Sequence, residues 1–312
     1  MEKIDITVSV VTHDRADTLP TLLSHLEHQT FPAARFEILL VDDGSTDGSP
    51  EILDRYAQGA SVRTRCVRQK RGGYAKGRNR ALSEARGRWI LFLDEDLLAS
   101  PHLLERHVRA QEDHGRDACL LGSVAPHPQL EPGVLTRWFL REEQRAVSPG
   151  AAPHFLDWRV DNLFASRKLL IDAGGFDDSF ALSQFDDAAL AWRLSQGGVC
   201  AYFLSEARAY VWRAAPFELE RHRQYARGYS LFRLAQMTES EEIYRRYSLL
   251  RSAFRNGVDS MVMPFYVRAC RQGEEDIRLL GHVYRRVLRY ELYCGFTDAR
   301  KGRPPREAAQ AI

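Results

Sequence analysis

Three short runs rich in β-branched, leucine or aromatic residues, at 6–11, 36–41 and 89–93, are separated by stretches with helical spacing of apolar residues. This alternation constrains the chain most, because strands divided by helices return as parallel neighbours and need cover on both faces. Leu19, Leu22, Leu23 and Leu26 predict a helix over 18–28, and further helices are expected over 50–58 and 77–86. The arginines of 62–67 suit a third strand at a sheet edge. The predicted fold class is therefore α/β: a mixed, mostly parallel sheet between helices, Rossmann-like in its first half, with a C-terminal helical extension.

Beyond Ser100 and Pro101, read as a helix start, the pattern weakens over 137–159, then resumes as a strand from Asn162 and an amphipathic helix over 186–196. After Pro216 the chain turns to long helical stretches dense in Arg and Tyr. The expected organisation is a catalytic domain over 1–215, a helical extension over 216–300 and a frayed tail over 301–312.

Composition narrows the function. A formal net charge of +2 over 312 residues gives no general basis for nucleic-acid binding. Five dispersed cysteines form no C-x-x-C pair and suit a reducing compartment. The start has no signal-peptide pattern, and no run approaches the roughly 20 apolar residues of a membrane helix. A cytoplasmic protein is expected. Residues 241–312 hold 14 Arg or Lys against 9 Asp or Glu, a net of +5, so peripheral contact with the inner face of a membrane through basic helices is a further expectation.

Parallel sheets bind ligands beyond the carboxyl ends of their strands. There the chain places Thr12-His13-Asp14-Arg15, Asp42-Asp43-Gly44-Ser45 and Asp94-Glu95-Asp96. Two carboxylates two residues apart at a strand end can face one hard cation, Mg²⁺ or Mn²⁺, on a diphosphate; the same segment also reads as an acidic turn. Asp43 can accept from a nucleobase imide or serve an Asx turn. Gly72 to Asn79 opens a helix, so its N–H groups with Lys76 or Arg78 can hold phosphate, or form a basic loop. Asp186-Asp187 opens a helix as a general base or as partners of the helix dipole. No zinc-hydrolase or serine-hydrolase motif is present.

In this order the segments at 9–15, 41–47, 73–79 and 92–96, with 162–167, 174–180 and Asp186-Asp187-x-x-Leu190-x-x-Arg193-Leu194, resemble family 2 glycosyltransferases of GT-A fold over roughly residues 4–213. The resemblance implies inverting transfer of a sugar from a nucleotide-sugar donor, UDP-linked by preference, to a glycan, lipid-linked or small-molecule acceptor. It implies a donor site of Thr12, Asp14, Arg15, Asp43, Lys76, Arg78 and Asp94. Asp96 is the implied principal metal ligand, with Asp94 beside it. Asp187 is the implied base, with Asn162, Asp186 and Trp158 on the acceptor side. Asp186 stands where the family has Glu, and Trp212-Arg213 where many members have a metal-binding His; either His222 substitutes, or the metal has fewer protein ligands and more waters, or Arg213 supplies the positive charge directly. A non-catalytic sugar-nucleotide-binding scaffold and a sugar nucleotidyltransferase are the alternatives. The second would need a glycine-rich loop directly after the first strand, and Thr12-His13-Asp14-Arg15 lacks the glycines.

Overall fold

The computed structural model describes residues 4–115, 117–129, 152–180, 182, 184–212, 216–249, 253–272 and 277–310. They divide into two compact units: those within Met1–Leu130, Glu143–Asp178 and Asp186–Arg213, and those within Ser179–Phe185 and Ala214–Ile312.

The first unit is built on one eight-stranded sheet. Its strands are β1 (Ile6–Thr12), β2 (Phe36–Asp42), β3 (Thr64–Arg68), β4 (Trp89–Leu93), β5 (Leu97–Ala99), β6 (Cys119–Pro126), β7 (Asn162–Ser166) and β8 (Ala201–Val211), in the order β3-β2-β1-β4-β7-β6-β8-β5. β3, β2, β1 and β4 are parallel, and β7 pairs antiparallel with both β4 and β6. β6 and β8 are parallel, and β5 closes the far edge antiparallel to β8.

The apolar runs have a direct cause. Alternate residues of each strand enter different cores: Ile6, Val8, Val10, Leu91 and Leu93 pack in one, and Val11, Leu39, Val41, Ile90 and Phe92 in the other. A strand covered on both faces carries apolar residues at most positions, and among the buried exceptions Thr7 and Glu37 bond each other at 2.8 Å. The leucines of α1 (Leu19–Glu27) complete the first core, which also packs against Ile52 and Tyr56 of α2 (Ser49–Gly59). Ala81 and Leu82 of α3 (Tyr74–Glu84) enter the second. β3 lies at the sheet edge, as its arginines suggested, and Arg65 serves a buried acid there, with Nη1 3.6 Å from Glu37 of β2. Arg65 also bonds Glu84 of α3 at 2.9 Å.

α4 (Leu103–His114) follows β5; its N-cap is His102, without a side-chain capping bond, in place of the expected Ser100. α5 (Arg167–Asp172) follows β7, and α6 (Asp186–Gln196) puts Leu190 and Leu194 in the second core.

The second unit contains α7 (Phe217–Thr238), α8 (Glu241–Arg246), α9 (Ala253–Gln272), α10 (Ile277–Arg300) and α11 (Glu307–Gln310). α7 and α10 cross at two glycines: a β-carbon on Gly228 would lie 1.8 Å from the Leu292 carbonyl oxygen, and one on Gly295 2.0 Å from that of Tyr225. The end of the chain differs from the expected frayed tail. Ala309 is buried against Tyr225 and Ala226, and Arg306 sits over the Tyr225 ring while bonding Glu291 at 2.8 Å. Among the described residues no helix is long and apolar enough to cross a membrane.

Candidate active site

The carboxyl ends of β1, β2 and β4 bring the expected loops together within the first unit. The segment after β1 turns at Asp14, which adopts a left-handed φ of 51°. Its carboxylate accepts from the backbone N–H groups of Thr46 at 2.7 Å and Asp47 at 3.3 Å, and these bonds hold it below the usual carboxylate range. Asp14 thereby staples the loop after β1 to the loop after β2. Thr12 is buried, and its carbonyl accepts from the N–H of Asp43 at 2.9 Å.

Asp43 is buried and orders the glycine-rich segment. It accepts from Gln69 Nε2 at 2.7 Å and from the N–H groups of Gly72 at 2.9 Å and Gly73 at 2.8 Å. A carboxylate has about four acceptor positions, so these three donors leave one. With Gly73 held at a left-handed φ of 84°, α3 begins at Tyr74, three residues before the expected start. Lys76, in its first turn, is exposed and makes no ion pair among the described residues. Asn79 clamps a second matched segment, donating to the Phe176 carbonyl and accepting from its N–H, each at 2.8 Å.

The Asp94-Glu95-Asp96 turn follows β4, and its three acids behave differently. Glu95, singled out for nothing by spacing, is 2% exposed. It accepts from the N–H of His13 at 3.1 Å and the hydroxyl of Tyr74 at 2.9 Å, and pairs with Arg15 Nε at 3.0 Å. Burial raises its pKa against the pull of Arg15. Glu95 is the tie that fixes the turn against β1 and α3. Asp96 is exposed and makes no hydrogen bond or ion pair among the described residues. Asp94 is about a third exposed and accepts from Arg78 Nη2 at 3.1 Å. Its neighbour is Asp161, whose carbonyl accepts from the N–H of Asp94 at 3.1 Å and whose charge opposes ionisation of Asp94.

Arg78 was expected at a diphosphate. Instead its guanidinium is buried and spent on two carboxylates, Nη2 on Asp94 and Nη1 on Asp186 at 3.0 Å. Burial pushes both carboxyls up to about 6, with Arg78 pulling the other way. Asp187, next along α6, is half-buried, and its Oδ1 accepts from the N–H of Ala188 at 2.8 Å.

On the acceptor side, Trp158 is buried, with its indole N–H donating to the Pro153 carbonyl at 3.3 Å. Asn162 is 1% exposed, and its amide is used inside the sheet. Oδ1 accepts from His107 Nε2 at 3.0 Å, while Nδ2 donates to the carbonyls of Ala207 at 3.0 Å and Ser123 at 3.3 Å. That bonding makes it a brace between β6, β8 and α4.

The turn after β4 suits a hard cation that keeps water and phosphate oxygens, since Mg²⁺ sites commonly use only one or two carboxylates. Among the described residues no group of three or more His, Cys, Asp or Glu is placed to hold a metal. His222 lies on α7 of the helical unit, and Arg213 falls outside the described residues, as do residues 137–151 of the weakly patterned segment before Asn162.

Residues 7–161 match the family model described as glycosyl transferase family 2. The poly(ribitol-phosphate) β-N-acetylglucosaminyltransferase TarS of Staphylococcus aureus is 32% identical over 114 residues, 36% of this chain and 20% of TarS. Validoxylamine A glucosyltransferase of Streptomyces hygroscopicus is 28% identical over 224 residues, 62% of this chain and 52% of that enzyme. The chain thus spans about a fifth and about half of these two relatives. Among solved structures, mannosyltransferase PcManGT from Pyrobaculum calidifontis, in complex with GDP-Man and Mn²⁺, superposes with a TM-score of 0.68 at 16% identity, over 97% of this chain and 89% of that one. TarS 1–349 in complex with UDP superposes at 0.54 with 18% identity, over 97% and 93%. The fold is the GT-A glycosyltransferase fold, and through residues 7–161 the chain belongs to glycosyl transferase family 2.

Proposed function

We propose that the protein is an inverting glycosyltransferase that takes a sugar from a nucleoside diphosphate donor, UDP-linked by preference, to an acceptor hydroxyl. One observation carries this reading: Arg78 reaches from Asp94 to Asp186, so the acidic turn after β4 and the first turn of α6 face one site. Donor chemistry and acceptor chemistry must meet within such a distance.

Asp43 receives the base through its remaining acceptor position, beside the loop closed by Thr12, Asp14 and Arg15. Lys76 and the N-terminal N–H groups of α3 face the phosphates. Asp96 and Asp94 hold Mn²⁺ or Mg²⁺, which supplies positive charge for a departing diphosphate. Asp187 takes the proton of the acceptor hydroxyl as its oxygen forms the bond to the anomeric carbon. The bond from that carbon to the phosphate oxygen breaks on the opposite face, and its electron pair leaves with the diphosphate. Asp186, Asn162 and Trp158 shape the acceptor side without offering a free base.

The donors named for similar proteins support the class, since PcManGT was solved with GDP-Man and TarS with UDP-GlcNAc. The test is thermal stabilisation by UDP and GDP, each with Mn²⁺ or Mg²⁺, followed by a screen of nucleotide-sugars for hydrolysis. Stabilisation by neither nucleotide would remove the donor-site reading.

The five free cysteines suit the proposed cytoplasmic setting. Met261 and Phe265 of α9 are 76% and 73% exposed, and Arg268, exposed and unpaired among the described residues, continues their stripe. Apolar bulk beside free positive charge fits the surface of an anionic bilayer. Salt-sensitive flotation with phosphatidylglycerol vesicles, lost in Met261→Ser/Phe265→Ser, tests this contact; self-association through the same face is the contrary result.

A further inference from the structure

We infer that Arg78 is the positioning residue of this site, setting the first turn of α6, and with it Asp187, against the acidic turn after β4. The inference rests on the proposed transferase reading and deepens it.

The guanidinium is held from every side. Its two terminal nitrogens donate to Asp186 and Asp94 at 3.0 and 3.1 Å, and its carbon lies 5.6 Å from the ring centroids of both Tyr74 and Phe176. Asn79, on the same helix, fixes the Phe176 backbone. A planar fork with donors at both ends can span two carboxylates; a lysine ammonium is a single point charge and cannot hold both in the same geometry. Asp186 is 2% exposed and has no second cationic partner among its described contacts. Without Arg78 it would be a buried, uncompensated charge at the start of α6.

A role as the diphosphate cation conflicts with this arrangement. A phosphate would have to displace Asp186 or Asp94 from a buried pair, whereas Lys76 lies two residues earlier on α3, exposed and unpaired among the described residues. Arg78 therefore acts through Asp186, and the binding of donor falls to other groups.

The experiment measures kcat, donor KM and the Kd for UDP with Mn²⁺ in the wild type, Arg78→Lys and the double variant Arg78→Met/Asp186→Asn. The double variant removes both buried charges and guards against a fold lost to an unpaired acid. Expected are UDP Kd and donor KM within about threefold of wild type and kcat lower by at least tenfold in both variants. A donor KM raised more than tenfold with kcat unchanged would make Arg78 a donor-binding cation and overturn the inference, as would transfer at the wild-type rate in either variant. A wild type that binds UDP but transfers from no donor would remove the transferase reading and this inference with it, which separates the two failures.

Discussion

His107 Nε2 donates to Asn162 Oδ1 at 3.0 Å inside the sheet, where the imidazole is fully buried and stacked 5.2 Å from the Phe164 ring. The amide it meets spends its own N–H groups on Ser123 and Ala207. Burial lowers the His107 pKa to about 4, so the folded state holds a neutral ring. The unfolded ring titrates near 6.5. Above about pH 6.5 both states are neutral and the full stability is present. As the pH falls toward 4 only the unfolded state gains the proton, and stability is lost by roughly 2–3 kcal/mol over that window. Urea unfolding from pH 7 to 4 should show this loss, and His107→Leu should show a shallower decline. Parallel declines would remove His107 as its source.

The glycine crossing of α7 and α10 makes opposite predictions for the same substitution. Gly228→Ala forces a β-carbon into the Leu292 carbonyl and should destabilise by about 1–3 kcal/mol despite the better helix propensity of alanine. Gly281→Ala, on α10 with open space around the new carbon, should stabilise by up to about 1 kcal/mol. Chemical denaturation of the two single variants checks both signs.

Asp187→Asn keeps the shape of the side chain but cannot take a proton. Transfer should fall by about 10²–10⁴-fold while the Kd for nucleoside diphosphate stays within about threefold. An asparagine variant transferring at the wild-type rate would move the base elsewhere in the site.

Asp96→Asn removes the acid of the turn that makes no hydrogen bond or ion pair among the described residues. The Mn²⁺ concentration for half-maximal transfer should rise by about tenfold or more, and a chelator should abolish transfer in the wild type until metal is restored. An unchanged midpoint would leave Asp94 as the metal's anchor.

The sequence signal was strongest where both faces of the sheet are covered. β1, β2 and β4 lie close to the predicted runs because their residues feed two cores. β6 and β8 carried no such signal. β6 contains Gly122, Ser123 and Pro126, residues that normally mark loops, and its register with β8 shifts between Gly122 and Ser123. Gly122 is required by a group 40 residues away in sequence: a β-carbon there would lie 2.1 Å from Asn162 Nδ2. The acids of the site were legible from their place after strands. The bonds that bury Glu95 and pair Asp186 were not. Glu95 finds Tyr74 and Arg15, and Arg78 finds Asp186, only through the folded sheet.

The placement of β7 has a consequence for synthesis of the chain. β4 needs β7 along its second edge, yet β7 ends at Ser166, 73 residues after the end of β4 at Leu93. At 5–20 residues per second a ribosome needs roughly 4–15 s to make that interval. During it, β1, β2 and β3 can already pair, and the nascent sheet presents Trp89–Leu93 as an open, wholly apolar edge of the kind that invites pairing with another chain. Expression at lower temperature or with a holdase chaperone should raise the soluble yield, and changes that weaken β7 should act first on that yield, before any effect on the activity of the protein that folds.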